Sequence, residues 1–277
     1  MQYITFNNDH TMPQLGLGVF RVENNDTAKE AVKHAIIKGY RSIDAALIYE
    51  NEEMVGRGIQ EGIAAAGIQR SDLFITSKLW LTHYGKEQVI TGYETSLNNL
   101  GLDYLDLYLM HWPGTDNTLM IDTWHGMETL YNERKVKNIG VSNFEIEHLE
   151  SLKAHASIKP VINQVEFHPY LTQQSLRDYL ATENIQMESW SPLMNAEILT
   201  DDTIQSIANE IGKTPAQVVI RWNIEHGVVT IPKSVTPHRI EENSNVFNFS
   251  LTSDQIARID ALNEDKRIGP DPLTFNG

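Results

Sequence analysis

Cysteine is absent from the 277 residues. That removes disulfides, thiolate catalysis and cysteine–metal sites together, and no metal site is expected. The same absence fits a cytoplasmic protein. Long apolar runs are missing too, since no stretch reaches the about eighteen residues that a membrane span needs. Met1 to Asn8 has neither a basic start nor an apolar centre, so no secretory signal is expected. Positive charge is scarce: 22 Lys and Arg stand against 37 Asp and Glu, a net charge of −15. A field of that sign disfavours nucleic acid and anionic membrane surfaces as partners. It also means that a phosphate-bearing ligand would need a local basic pocket. A dinucleotide fingerprint is lacking as well. Gly16-Leu17-Gly18 opens no helix and follows no long buried strand, so it does not read as a Rossmann turn.

What is present is alternation. Residues 3–19 hold two short extended pieces around Asn7-Asn8-Asp9 and Met12-Pro13, the pattern of a β-hairpin. Helices are expected at 27–38, 51–66, 86–99, 122–135, 145–154, 173–183, 201–211, 215–225, 237–243 and 253–262. Strands are expected at 41–45, 73–78, 104–111, 138–142, 161–166, 186–190, 228–231 and 246–249. Asp26 reads as the first N-cap and Gly39 as the stop of that helix. Thr214 precedes Pro215 at N1, and Thr252 and Gln255 have capping-box spacing. Many of the eight strands are dense in Ile, Val and Leu, as strands buried on both faces must be. No linker interrupts the run. The expected fold is α/β, a (β/α)8 TIM barrel formed by residues 1–277 as a single domain; a doubly wound sheet is the competing architecture. The polar, proline-bearing tail from Lys266 to Gly277 reads as a surface loop.

Barrel chemistry sits at the C-terminal ends of the strands. Three successive strand ends carry reactive side chains: Asp44, with Tyr49 in the loop after it, then Lys78, then His111. A phenol, with an ordinary pKa of about 10, serves as an acid near neutrality only if that value falls, and a nearby ammonium lowers it. Asp44 would keep Lys78 charged and oriented, while His111 would orient a substrate oxygen or relay a proton. The result is a proton donor aimed at a carbonyl, half of a reduction in which hydride arrives from the other side. Taken singly, each residue also fits a bland role: a turn aspartate, a packing tyrosine, a solvated lysine, a core histidine.

Two further clusters lie downstream. Ser142, Asn143 and Gln164 can hydrogen-bond a carboxamide, and Trp190 offers a flat face for stacking or for core packing. Ile231 to Asn243 places Lys233, His238 and Arg239 at the start of a helix after the seventh strand, where barrels favour phosphate and a helix N-terminus adds positive potential.

These residues together resemble the aldo-keto reductase family. The matching segments are Gly39-Tyr40-Arg41-Ser42-Ile43-Asp44 through Tyr49-Glu50-Asn51-Glu52, Lys78-Leu79-Trp80, and Leu105 to Pro113. Gly140-Val141-Ser142-Asn143-Phe144, Asn163-Gln164-Val165-Glu166, Trp190-Ser191-Pro192-Leu193 and Ile231-Pro232-Lys233-Ser234 complete the set. The chain is most similar to the bacterial branch that holds 2,5-diketogluconate reductases and glyoxal or methylglyoxal reductases. The resemblance implies a barrel closed at the bottom by the N-terminal hairpin, with NADPH bound extended. It gives Asp44, Tyr49, Lys78 and His111 the catalytic roles, Tyr49 being the general acid. Ser142, Asn143 and Gln164 would hold the nicotinamide amide, and Trp190 would stack on its ring with Ser191 and Leu193 beside it. Lys233, Ser234, Val235 and Arg239 would bind the 2′-phosphate end, and Glu242 and Asn243 the adenosine. Phe20, Trp80, His111 and Trp112 would line the substrate side.

Three features depart from the family's usual pattern: Ala45 for a common Thr, Trp190 for a common Tyr, and a short C-terminal tail. The expected substrates are therefore small polar dicarbonyls, aldehydes or keto sugars, handled by a cytoplasmic monomer. Two rival readings stay open at this level: a nucleotide-sensing binding protein on the same fold, and a lyase or isomerase using Lys78 as a Schiff-base amine.

Overall fold

The computed structural model describes residues 1–277. Strands β1 (Tyr3–Thr5) and β2 (Thr11–Pro13) pair as an antiparallel hairpin. Eight parallel strands follow: β3 (Leu17–Gly18), β4 (Ser42–Asp44), β5 (Phe74–Leu79), β6 (Leu107–Met110), β7 (Ile139–Ser142), β8 (Ile162–Glu166), β9 (Gln186–Trp190) and β10 (Val229–Thr230), each bonded to its neighbour in chain order. Around them lie α1 (Asp26–Ile37), α2 (Glu52–Ala66), α3 (Lys86–Leu100), α4 (Asn117–Asn132), α5 (Ile146–Lys153), α6 (Gln174–Glu183), α7 (Asp202–Ile211), α8 (Pro215–Glu225), α9 (Pro237–Ser244) and α10 (Ser253–Asp260). No helix is long and apolar enough to cross a membrane.

The sheet closes on itself. Gly16 donates its N–H to the Thr230 carbonyl at 3.0 Å, and Thr230 donates to the Gln14 carbonyl at 3.1 Å. Gly18 then pairs with Lys233. A Cβ at Gly18 would lie 2.7 Å from the Ile231 carbonyl oxygen, so the closing strand needs glycine there. Outward side chains such as Ile43, Ile75, Tyr108 and Val141 pack under the helices. The N-terminal mouth is plugged by the hairpin: Phe6 and Met12 meet Phe74, Leu107, Ile162 and Val229, the first residues of their strands, in a separate apolar cluster. With that end filled, the opposite mouth is left for chemistry.

Three local expectations are corrected. Residues 246–249 form no strand; the eighth stave is Leu17–Gly18, whose two residues are too short to show a hydrophobic run. The helix expected at 122–135 begins at Asn117, because the Asp116 carboxylate accepts from the N–H groups of Thr118 and Leu119. Asn25, not Asp26, caps α1, accepting from Thr27 N. The caps at Thr214 and Thr252 form as expected, each with a glutamine three residues on that completes the box.

Candidate active site

Asp44 ends β4, Lys78 lies one residue before the end of β5, and His111 follows β6 directly. Tyr49 closes a short 3-10 turn after β4, and the turn is tied down on two sides. Asn51 donates its amide protons to the carbonyls of Val19 and Val22 at 2.9 and 2.8 Å. The buried Glu52 accepts from Ser77 Oγ at 2.6 Å, joining the turn to the strand that carries Lys78.

The four side chains converge. Lys78 Nζ, fully buried, donates to Asp44 Oδ1 at 2.5 Å, to the Ala45 carbonyl at 2.9 Å and to Tyr49 Oη at 3.2 Å. An ammonium has three protons, and all three are committed. Tyr49 Oη therefore receives a hydrogen bond from Lys78 and keeps its own proton free to donate elsewhere. Burial works against the Lys78 charge, but Asp44 and Tyr49 outweigh it and hold its pKa above the ordinary lysine value. For Tyr49 the expected fall does not occur: burial pushes the phenol up, Lys78 pulls it down, and the net direction is upward. Proximity to the ammonium is thus offset by loss of water, and Tyr49 stays protonated at neutral pH. Burial, aided by Lys78, holds His111 well below the usual histidine value, so the ring is neutral. That ring stands edge-on to Tyr49 at 5.6 Å and to Trp80 at 5.2 Å between centroids.

Beside the four, Ser142 and Asn143 leave the end of β7, and Asn143 is in the left-handed region (φ 63°). Asn143 Nδ2 donates to the His111 carbonyl at 2.9 Å, and its Oδ1 accepts from Trp190 Nε1 at 2.7 Å. Ser142 Oγ donates to the Gln164 backbone carbonyl at 2.8 Å. The buried Gln164 side chain reaches across the barrel to Asp44 Oδ2, 2.8 Å away. Ser191 and Leu193 are half-buried in the turn after β9. Ser191, Met194, Asn195 and Ala196 all take positive φ there, a concentration of backbone strain in one short loop.

The third cluster, in the turn after β10, is open. Lys233, Val235, His238 and Arg239 are exposed, while Ser234 is buried. Thr236 caps α9 without a side-chain bond and Pro237 occupies N1, so the helix presents free backbone N–H groups beside these cations. The acidic residues of α9 are engaged elsewhere: Glu241 by His34 and Lys38, Glu242 by Thr214 Oγ1 at 2.9 Å. Asn243 is buried.

Phe20 packs on Tyr49 at 4.9 Å and remains about half exposed (49 %), while Trp80 and Trp112 flank the far side. The tail does not lie free on the surface as expected. Phe275 packs on Trp112 at 4.3 Å and on Trp80 at 6.2 Å. The buried Glu166 carboxylate accepts from the N–H groups of Ile268 and Gly269 at 2.6 and 3.1 Å, and Arg267 pairs with Glu145. Residue 269 must be glycine, because a Cβ there would stand 2.4 Å from the Trp190 ring. The sequence carried a signal for this in one aromatic, Phe275, placed in a polar tail. Glu188, also unassigned from the sequence, lies fully buried beside Gln164.

Comparison with known proteins gives the family and the fold. Residues 14–264 match the model of the aldo/keto reductase family. A glyoxal reductase of Bacillus subtilis is 52 % identical over 97 % of this chain and 95 % of its own. A methylglyoxal reductase, DkgA, of Salmonella typhimurium is 46 % identical over 99 % of this chain and 98 % of its own. Among solved structures, a Gox0644 mutant in complex with NADPH superposes with a TM-score of 0.94 at 42 % identity, covering 100 % of this chain and 99 % of the other.

Proposed function

This chain belongs to the aldo/keto reductase family, and we propose that it reduces small polar carbonyl compounds, dicarbonyls such as methylglyoxal or keto sugars, to alcohols at the expense of NADPH. The observation that carries this is the Asp44–Lys78–Tyr49 chain of hydrogen bonds, 2.5 and 3.2 Å long, ending on a phenol whose proton is free. The relatives named glyoxal and methylglyoxal reductase support the substrate class.

The residues present fit the nucleotide. Gln164 Oε1 accepts nothing from the protein while its Nε2 is fully used, which leaves one acceptor for a carboxamide N–H. Lys233, Arg239 and the N-terminus of α9 form the basic pocket that an acidic protein needs for phosphate. Ser142, Asn143, Gln164 and Trp190 would hold the nicotinamide end, Ser191 and Leu193 its flank, and Lys233, Ser234, Val235, Arg239, Glu242 and Asn243 the adenosine end. When bound, NADPH supplies hydride to the carbonyl carbon. The chain's own part is the proton. Tyr49 donates it to the carbonyl oxygen, which becomes a stronger base than a phenolate as hydride arrives, so the proton can move although the phenol pKa is raised. Lys78 stabilises the phenolate left behind through the bond it already makes. Asp44 keeps Lys78 charged. His111, neutral, can hydrogen-bond the carbonyl oxygen without competing for the proton. Phe20, Trp80 and Trp112, with Phe275, would wall the substrate side, and residues 1–277 act as one barrel domain.

The commitment of all three Lys78 protons speaks against a Schiff-base role, which requires a free neutral amine. Loss of NADPH absorbance on adding methylglyoxal is the direct test. Steady oxidation is expected; no turnover with any aldehyde, dicarbonyl or keto sugar would leave a nucleotide-binding protein instead.

A further inference from the structure

Glu188 is a carboxyl group in the middle of the barrel with no part in the proton transfer above. It pairs in register with Gln164 on the neighbouring strand and is wholly buried. Its Oε2 accepts from Gln164 Nε2 at 2.8 Å, and the same nitrogen donates to Asp44 Oδ2 at 2.8 Å. A primary amide has two N–H protons, so both are bound to carboxyl oxygens. Turning the amide over would set its carbonyl oxygen against the Asp44 carboxylate, while Glu188 Oε2 holds the second N–H in place. The pair therefore fixes which end of Gln164 faces the site.

We propose that Glu188 is a positioning residue for the nicotinamide carboxamide: by taking one Gln164 proton it presents Gln164 Oε1 as the acceptor for the carboxamide N–H. This rests on the NADPH reading above. Asp44 alone is a poorer guide, because one hydrogen bond leaves the terminal amide torsion, which has broad wells, free to swing. It would also strand the second N–H in a dry interior, which is costly. Burial, reinforced by Asp44, raises the Glu188 pKa to about 8. A raised pKa favours the neutral form, so Glu188 accepts from Gln164 with less added negative charge beside Asp44 and Lys78.

The test compares the full-length wild type with Glu188→Gln, which keeps an acceptor oxygen at the same reach, and Glu188→Met, which fills the volume and accepts nothing. Each is titrated by tryptophan fluorescence with NADP+ and with its 3-acetylpyridine analogue, whose acetyl group has no N–H to offer Gln164. The wild type and Glu188→Gln should bind NADP+ more tightly than the analogue. In Glu188→Met that preference should shrink about tenfold, the worth of one hydrogen bond, through weaker NADP+ binding alone. A full preference retained by Glu188→Met, or equal weakening toward both nucleotides, overturns the proposal. A wild type that binds both equally overturns it while leaving NADPH use intact; a wild type that binds neither defeats the NADPH reading as well. A second measurement needs no variant. In the wild type both Gln164 side-chain N–H protons should be protected from solvent exchange by NMR, and rapid averaging of the two would likewise overturn the assignment.

Discussion

At the barrel mouth Lys78 commits every proton to Asp44, Ala45 and Tyr49, and Gln164 commits both of its own to Asp44 and Glu188. At the 233–239 turn, by contrast, Lys233, His238 and Arg239 stand exposed, with the neighbouring acids Glu241 and Glu242 bound to other partners. One cluster has its polar groups paired within the protein, and the other holds its cations in water. The difference follows from water. A buried charge must find its partners during folding because desolvation is expensive, whereas an exposed cation is solvated until an anion replaces that water. On the reading proposed above, the buried cluster is thereby ready for chemistry and the open one for capture.

The comparison breaks most visibly at Tyr49. Tyr49→Phe removes only the proton donor, so kcat should fall about 10²- to 10⁴-fold while NADPH affinity is unchanged. Absorbance assays beside fluorescence titrations separate the two quantities, and full retained turnover would refute the acid assignment. Lysines at the two ends sharpen the contrast. Lys78→Met leaves Asp44, 2 % exposed, without its cation, at a cost of about 3–5 kcal/mol of folding free energy in urea titrations. Lys233→Met should change stability by no more than about 0.5 kcal/mol. Similar losses at both positions would mean that the two clusters are not built differently.

The buried end was also the more legible in sequence. Asp44, Lys78 and His111 each fall at or next to the end of a strand, the last two after apolar runs, and barrel geometry brings strand ends together whatever their separation along the chain. Glu188 offered a weaker sign, a charged residue at the centre of a strand buried on both faces, which needs a partner that one strand cannot reveal. The direction of the Tyr49 shift was not legible, since proximity to Lys78 is visible in the motif but the degree of burial is not. Leu17–Gly18 was missed because two residues carry no period, and 246–249 was taken in its place because Phe247 and Phe249, two apart, alternate like a strand. The tail over Trp190 was hidden for a similar reason: its anchors, Glu166 and Glu145, lie about a hundred residues earlier.

Glu188 gives a pH-dependent test of how closed the buried end is. An acid whose folded pKa is raised stabilises the fold fully below its unfolded value and loses that contribution as pH rises through the folded value. For Glu188 the window runs from 4.5 to about 8, with Asp44 opposing its charge and Lys78 and Gln164 favouring it. The stability of Glu188→Gln relative to the wild type should therefore grow by about 1.4 kcal/mol per pH unit across that window, to a total of about 5 kcal/mol, and then level off. Denaturation curves for both proteins from acid to alkaline pH measure this. A difference that stays flat would mean that Glu188 ionises freely inside the barrel.

The open end predicts a smaller and more selective effect. On the reading proposed above, Arg239→Ala would remove one charge-assisted contact to the 2′-phosphate, worth about 1.5–3 kcal/mol, so NADPH should bind about 10- to 100-fold more weakly. NADH lacks that phosphate and should be nearly unaffected. Because Arg239 is exposed, its contribution should also shrink as ionic strength rises and the Debye length falls, whereas the effect of Tyr49→Phe should not. Fluorescence titrations with both nucleotides at low and high salt would measure all of this. Equal weakening toward NADPH and NADH would take Arg239 off the phosphate, and a salt-independent loss would mean that the turn is already closed around its charges before any ligand arrives.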